Sequence, residues 1–247
     1  MRIAVLADIH GNLHALEAVL ADLRACAPDL VVNLGDHLSG PLEAARAADI
    51  LMAQRDWAQI RGNHDRQMIG QVTEAMGLSD RAAVQELTNE HKAWLRSLPA
   101  AAVVAEDVLL CHGTPERDFE YLLEDVSTFG VSLASRDQIR SRLGGATGMI
   151  LCGHSHVPRF VRLDGGTAVL NPGSVGLQAY YDMDHPFPHG IETGSPHARY
   201  ALLDRTGSGW HAAFHAVDYD WNAAAQIARA GGRPDWEYAL LTGYALR

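Results

Sequence analysis

At 247 residues, the chain is long enough for one large α/β domain with a substantial core. A hydrophobic content of 47% and a charged content of 20% are ordinary for a globular protein and exclude disorder as its main state. The net charge of −10 argues against a surface for nucleic acid or an anionic membrane, where a basic stripe is expected.

Three further features of the composition bear on location and function. No apolar run approaches the ~18 residues that a membrane helix needs, and the N-terminus shows no signal-peptide pattern. The cysteines, Cys26, Cys111 and Cys152, have no CxxC spacing and predict no disulfide framework, so we expect a cytoplasmic protein. The 13 histidines, several of them next to glycine after apolar runs, need a functional explanation.

Strands and helices are predicted to alternate in the first third of the chain. Buried strands are indicated from Ile3 and over 29–34 and 57–60, and helical spacing of apolar residues covers 13–26 and 41–54. Each strand ends in Gly, Asp, Asn or His. Repeated strand–helix alternation is typical of a largely parallel sheet.

The rest of the chain mixes hairpins with helices. The pattern predicts a helix over 79–97, a hairpin of 101–105 with 108–111 and a mostly helical stretch over 116–143. It then predicts a strand over 148–152, a hairpin of 160–163 with 168–170 and an irregular loop over 178–197. Strands of a second sheet are predicted at 200–203 and 213–217, and helices over 221–230 and 234–242. Without a repeat or linker, we expect a single domain over 1–247, with 116–143 and 178–197 as candidate caps.

Asp8 and His10 follow the first strand, two residues apart. Side chains two apart on a strand point to the same side, so both groups can reach one point. Ligands of open α/β sheets bind beyond the carboxyl ends of the strands, where these residues lie. A carboxylate and an imidazole aimed together indicate half of a metal site.

Similar polar groups end four other predicted strands. In chain order the series is Asp8-x-His10, Gly35-Asp36, Gly62-Asn63-His64-Asp65, His112-Gly113 and Gly153-His154-x-His156. Any one of these is a weak signal, but five in this order are specific as a set. The series resembles the calcineurin-like metallophosphoesterase family, and the resemblance covers about residues 1–175.

The resemblance implies a dinuclear metal centre and a fold. One metal would be held by Asp8, His10 and His156, the other by Asn63, His112 and His154, and Asp36 would bridge the two. The implied fold is an α/β four-layer α/β/β/α sandwich of two mixed β-sheets flanked by helices. Two divalent ions about 3.5–4 Å apart can bridge a hydroxide and clamp phosphoryl oxygens.

The ligand types narrow the metal without identifying it. A bridging ligand must carry charge and two usable oxygens, which favours Asp36 over a histidine at that position. Ligation by nitrogen and oxygen alone favours divalent or trivalent transition metals, Mn, Fe, Zn or Co, over Mg²⁺ or Ca²⁺. The sequence does not choose among them.

His64 follows Asn63 and is expected to project into the same crevice. By resemblance it protonates the leaving oxygen or stabilises charge on the phosphoryl group, a task that suits imidazole. Asp65 either orients His64 or has a solvated role at a helix start.

Three residues are candidates for binding the substrate. His37 follows the bridging aspartate and lines the pocket or belongs to the core. Arg66 pairs with a substrate phosphate or makes a structural salt bridge. Tyr181, in the irregular loop, offers an aromatic face for a nucleobase or lies on the surface.

One departure from the family pattern points to a branch. Phosphoprotein phosphatases carry Asp and Arg three and four residues after the bridging aspartate, where this chain has Ser39 and Gly40. Residues 35–41 and 61–66 instead resemble the compact bacterial branch of phosphodiesterases and dinucleoside-polyphosphate hydrolases. We therefore expect hydrolysis of a small phosphodiester or nucleotide; the alternatives are a diadenosine-polyphosphate hydrolase, a phosphomonoesterase and a non-catalytic scaffold. The oligomeric state is left open.

Overall fold

Two five-stranded mixed sheets form the centre of the protein, and the computed structural model describes residues 1–246. The strands are β1 (Arg2–Leu6), β2 (Leu30–Asn33), β3 (Ala58–Gln59), β4 (Ala102–Val104), β5 (Val108–Leu110), β6 (Glu124–Ser127), β7 (Gly130–Leu133), β8 (Met149–Leu151), β9 (Arg159–Arg162), β10 (Ala168–Asn171), β11 (Ala179–Asp182), β12 (His189–Glu192), β13 (Ala198–Thr206) and β14 (Gly209–Val217). The helices are α1 (Leu13–Cys26), α2 (Ala44–Ala53), α3 (Asn63–Gly70), α4 (Leu78–Glu86), α5 (Asn89–Ser97), α6 (Arg136–Arg142), α7 (Trp221–Ala230) and α8 (Pro234–Thr242).

The first sheet has the strand order β14-β13-β1-β2-β3, and the second has the order β4-β5-β8-β10-β9. In the first sheet β1, β2 and β3 are parallel, while β13 runs antiparallel to β1. In the second, β5, β8 and β10 are parallel. The parallel strands of each sheet therefore end at a common edge, which is where ligands bind in such sheets.

Side chains of β1 point alternately to the two faces of the first sheet, and this explains why both faces are covered. Ile3 and Val5 belong to the apolar cluster that joins both sheets, and Ala4 and Leu6 belong to the cluster beneath the outer helices. All four are fully buried, as expected for a strand covered on both faces. The predicted four-layer sandwich of two mixed sheets with outer helices is confirmed.

Several predictions of local structure are wrong. Residues 116–143 contain the hairpin β6–β7 before the short helix α6, because Gly130 adopts a positive φ of 102° at the turn. Residues 178–197 contain the hairpin β11–β12 and are not an irregular loop. The late strands β13 and β14 extend the first sheet, not a second one. The helix over 79–97 is two helices, because Thr88 caps the start of α5.

Within residues 1–246, the structure has no helix that is both long and apolar enough to cross a bilayer.

The helices predicted over 13–26, 221–230 and 234–242 are confirmed at those bounds. In α1 the side chain of Asn12 accepts a hydrogen bond from the Ala15 N–H at 3.1 Å, which fixes the helix start directly after the loop that carries Asp8 and His10.

Candidate metal centre

The structure brings all seven predicted ligands to one edge of the two sheets, although neither β1 nor β2 carries a ligand within the strand itself. The ligands lie in the loops that follow β1, β2, β5 and β8 and at the first residue of α3. The amide of Asp8 donates to the Gly35 carbonyl at 2.9 Å, and that of Gly153 donates to the His112 carbonyl at 2.7 Å. Backbone hydrogen bonds therefore tie the loops of each sheet together.

One cluster of ligand atoms consists of Asp8, His10 and His156, all within 4.8 Å of one another. Asp8 Oδ1 lies 3.3 Å from His156 Nε2, and His10 Nε2 lies 3.1 Å from the same nitrogen. These three side chains are at most 4% exposed. They form a buried O,N,N pocket of the kind that holds a transition metal.

A second cluster consists of Asp36, His112 and His154. Asp36 Oδ2 is 3.1 Å from His112 Nε2, and the Asn63 Oδ1 atom is 3.0 Å from the same nitrogen. His112 Nε2 is also 3.9 Å from Asp8 Oδ1, an atom of the first cluster. The two clusters are therefore adjacent, and the bridging role of Asp36 stays a prediction.

The hydrogen bonds of the imidazoles indicate that a cation belongs here. Nδ1 of His10, of His112 and of His156 lies 2.7–2.8 Å from a backbone carbonyl, which can only accept, so Nδ1 carries the proton. When such a ring is neutral, as that of His10 is, Nε2 presents a lone pair to the cluster. This arrangement, with the far ring nitrogen held by a carbonyl, is the usual support of metal-bound histidine.

Acceptors facing one another need a cation between them. The lone pairs of His10 and His156 point together, and Asp8 Oδ1 is buried without a hydrogen-bond partner among residues 1–246. The residues present therefore fit the metal ions that the resemblance implies, and their role as ligands stays a prediction.

The imidazoles of the site differ in ionisation, and the ring of His112 is protonated where no cation is bound. Burial and the neighbouring imidazoles lower the pKa of His10 and of His154 to about 4, so both rings are neutral. Burial also opposes charge on His112, but the carboxylates of Asp36 and Asp8 outweigh it and raise the pKa of His112 to about 10. Burial alone raises the pKa of Asp36, yet His112 and His64 hold it well below its usual value.

The backbone of the ligand loops is in the left-handed region, which sequence patterns do not reveal. Eight non-glycine residues among those described have a positive φ, and five of them are predicted ligands: Asp8, His10, Asp36, His154 and His156. Asp8 and His10 therefore converge through two left-handed turns and not through the alternation of an extended strand. Such a conformation is costly for non-glycine residues and clusters at functional sites.

Gly62 is required by a close approach to the predicted bridging ligand. A Cβ atom on Gly62 would collide with Asp36 Oδ1 and the Asp36 backbone nitrogen. We expect Gly62→Ala to displace Asp36, lower stability by about 1–3 kcal/mol and reduce Mn²⁺ uptake, measured by thermal unfolding and metal analysis. Gly70→Ala is the control, since a Cβ there meets no atom of residues 1–246 within 4 Å; equal behaviour of the two variants contradicts the prediction.

His64 lies beside the clusters, with its side chain 35% exposed toward the cavity. Its Nδ1 lies 2.8 Å from Asp80 Oδ1 of α4, and the Ser39 hydroxyl donates to that same oxygen at 2.6 Å. Burial disfavours the imidazolium, but the Asp36 charge and the Asp80 hydrogen bond raise the pKa of His64 to about 9. Asp80 therefore holds His64 in one orientation and favours its protonated form.

Asp65 does not orient His64. Its carboxylate accepts hydrogen bonds from the backbone N–H groups of Asp36, His37 and Gly62 at 2.9–3.1 Å, and Oδ2 lies 2.7 Å from His37 Nδ1. His37 is fully buried with its ring 5.2 Å from that of Trp94, and it does not line the cavity. Both residues brace the loop that presents Asp36: His37 belongs to the core, and Asp65 acts at the start of α3 but is buried and not solvated.

Arg66 makes the structural salt bridge considered for it. Its guanidinium donates two hydrogen bonds to Asp118 at 2.6 and 2.9 Å and does not line the cavity. A bidentate pair of this kind occupies the two guanidinium N–H groups that Arg66 would otherwise donate to a phosphate. The structure therefore does not bring Arg66 to the substrate side of the centre.

A cavity of about 1190 Å³ opens over the two clusters. Residues of the segments 116–143 and 178–197 line it, including Phe119, Tyr121 and the predicted substrate residue Tyr181. Both segments thus lie over the clusters, as expected for caps, and their role as caps stays a prediction. This volume is above the range of roughly 300–1,000 Å³ that is usual for small-molecule pockets, so the cavity can hold such a ligand.

Sequence reasoning missed Asp80 and Tyr121. Asp80 is on a helix far from every motif, and Tyr121 is on a stretch predicted to be helical. The Tyr121 ring packs 5.0 Å from His154, and its hydroxyl is 2.7 Å from that of Tyr180. A buried aspartate near a strand-end histidine has no local signature, so only the tertiary structure could identify these residues.

Known proteins share features of the sequence and the fold of this chain. A family model described as the calcineurin-like phosphoesterase superfamily domain matches residues 1–185. An uncharacterized protein of Methanocaldococcus jannaschii is 25% identical over 256 residues, covering 95% of this chain and 94% of the relative. A metallophosphoesterase from Sphaerobacter thermophilus has a TM-score of 0.74 at 25% identity, covering 97% of this chain and 98% of that structure. A hypothetical protein from Pyrococcus horikoshii shares the fold, with a TM-score of 0.74 at 19% identity over 99% of each chain.

Proposed function

This chain belongs to the calcineurin-like phosphoesterase superfamily, and we propose that it is a dinuclear metal-dependent hydrolase of a small phosphodiester. The observation that carries the proposal is the pair of adjacent ligand clusters, one with Asp8, His10 and His156 and the other with Asp36, His112 and His154. Two bound transition-metal ions supply Lewis acidity and activate a water molecule at neutral pH. The chain's own residues position the substrate and donate a proton to its leaving oxygen or to a phosphoryl oxygen.

His64 supplies the proton chemistry in this proposal. With Nδ1 committed to Asp80, the opposite nitrogen, Nε2, is the one available to a ligand in the cavity. A protonated imidazole there can donate to the leaving oxygen or to a phosphoryl oxygen as negative charge develops. The raised pKa of His64, about 9, keeps that proton present at pH 7.

The charges around the cavity favour a substrate with a single phosphate charge. The arginines that line it, Arg142 and Arg233, are already paired with Asp125 and Asp235, at 3.3 and 2.6 Å. Asp182 and Asp184 line it as well. A polyphosphate would bring several negative charges against this acidic lining, whereas a phosphodiester brings one, which the centre neutralises.

The aromatic side chains that line the cavity favour a phosphodiester that carries an aryl or nucleoside group. Phe119, Tyr181 and Trp236 lie around the cavity, and Phe119 is 59% exposed. Flat rings gain stacking energy on such side chains without needing specific hydrogen bonds. Diadenosine polyphosphates also carry such rings and remain the second candidate, but the acidic lining places them behind phosphodiesters.

Hydrolysis assays test the proposed function directly. We expect metal-free protein to be inactive and Mn²⁺ to restore cleavage of bis-p-nitrophenyl phosphate, with kcat/KM above that for p-nitrophenyl phosphate. Diadenosine tetraphosphate is assayed in parallel, and preferential cleavage of it would overturn the charge argument. Absence of turnover on all three with Mn²⁺, Co²⁺, Zn²⁺ and Fe²⁺ would contradict the hydrolase and favour the scaffold alternative.

A further inference from the structure

A second group of metal-ligating side chains lies far from the cavity. Cys26 is the last of the 14 residues of α1, so it lies about 20 Å along the helix from the loop that carries Asp8 and His10. Asp22 is four residues before Cys26 and shares its face of the helix. On the adjoining strands, Tyr200 and His215 are direct partners in the antiparallel register. Local geometry therefore brings these side chains together.

The spacing of their polar atoms is that of a coordination shell. The ligand atoms of Asp22, Cys26 and His215 all lie within 4.8 Å of one another. Within this group, Asp22 Oδ2 is 3.4 Å from His215 Nδ1. A tetrahedral ion with bonds of about 2.0–2.3 Å holds its ligand atoms about 3.3–3.8 Å apart.

We propose that Asp22, Cys26 and His215 form a separate binding site for a zinc-type divalent cation. A thiolate, an imidazole and a carboxylate together are a ligand set that Zn²⁺ prefers, whereas the centre under the cavity has no thiolate. The side chains of Asp22 and His215 are 38% and 29% exposed, so solvent can reach the cation and complete its coordination.

Tyr200 supports the site without binding the cation. Its fully buried hydroxyl donates to Asp22 Oδ2 at 2.5 Å, and its ring stacks on that of His215 at 4.5 Å. Burial and the Asp22 carboxylate raise the pKa of Tyr200 far above its usual value, so the hydroxyl stays protonated. Such outer support orients a carboxylate and an imidazole for a metal.

Binding links the end of α1 to the edge pair β13–β14. The Cys26 thiol loses its proton to solvent as the sulfur–metal bond forms, so affinity rises with pH. A cation that binds only the folded protein also stabilises it. The site therefore serves the fold, and it does not depend on the function proposed for the cavity.

Cobalt distinguishes this site from the other, because a thiolate bound to Co²⁺ gives a charge-transfer band in the near ultraviolet and N,O ligands do not. We expect the wild-type protein to show this band and Cys26→Ser and His215→Ala to lose it, together with about one metal equivalent per chain. Phosphoesterase turnover should be unchanged in both. His211→Ala, four residues earlier on the same face of β14, is the matched control and should keep the band.

Two further measurements separate this proposal from the cavity. Asp36→Asn should retain the cobalt–thiolate band whatever happens to turnover. Loss of the band in Cys26→Ser assigns it to Cys26, because Cys111 and Cys152 are buried and are unchanged in that variant. Zn²⁺ should raise the Tm of the wild-type protein more than that of Cys26→Ser. A wild-type protein without the band, or a Cys26→Ser variant that keeps it, overturns the proposal.

Discussion

Asp36→Asn is expected to lower kcat/KM by more than about 100-fold. Asp36 Oδ2 is 3.1 Å from His112 Nε2, and Oδ1 accepts the His64 amide N–H at 2.9 Å. Its charge also acts on His10 of the first cluster, so asparagine removes one negative charge beside both clusters at once. The shape of the side chain is retained, so the effect comes from charge and not from misfolding.

The measurement is metal content beside turnover, both after loading with Mn²⁺. We expect Asp36→Asn to bind less metal and to unfold at a Tm close to that of the wild-type protein. Asp204→Asn removes one carboxylate from another part of the first sheet, where it pairs with Arg2 at 2.9 Å, and is the control for net charge. Normal metal content with normal turnover in Asp36→Asn would refute the bridging role.

The residues at the ends of the strands could be predicted because their signal is local. An apolar run that stops at Gly, Asp or His marks the carboxyl end of a buried strand, and parallel strands align those ends. The family resemblance of five such ends implied the grouping of residues as distant as Asp8 and His156, and the structure places their side chains 3.3 Å apart. The sandwich of two sheets followed from the family resemblance of the same residues.

The remaining features depend on tertiary contacts that leave no local pattern. The left-handed φ of Asp8, 56°, is imposed by the loop, and nothing in the sequence distinguishes it from extended backbone. Ser39 occupies the position where related phosphatases carry aspartate, so the sequence near Asp36 offers no such acidic group to His64. The partner, Asp80, lies 41 residues beyond Ser39 on α4 and accepts from both side chains.

Asp80→Asn should lower kcat by about 10- to 100-fold and leave metal content and KM near their wild-type values. Asp80 is 2% exposed, so its charge acts on His64 across a poorly solvated contact of 2.8 Å. Asparagine can still accept from His64 and Ser39, but it no longer favours the imidazolium. The protonated fraction of His64 falls, and the leaving oxygen loses its proton donor.

His64→Ala removes the proton donor itself, and we expect a kcat loss of about 100- to 10,000-fold with the metals still bound. If Asp80 acts only through His64, the double variant His64→Ala/Asp80→Asn loses no more than His64→Ala alone, whereas independent effects would multiply. Asp65→Asn supplies the contrast: its carboxylate binds His37 and backbone amides, so it should lower Tm more than Asp80→Asn does. Multiplicative losses in the double variant would mean that Asp80 affects turnover independently of His64. Loss of metal in His64→Ala would mean that His64 has a structural role.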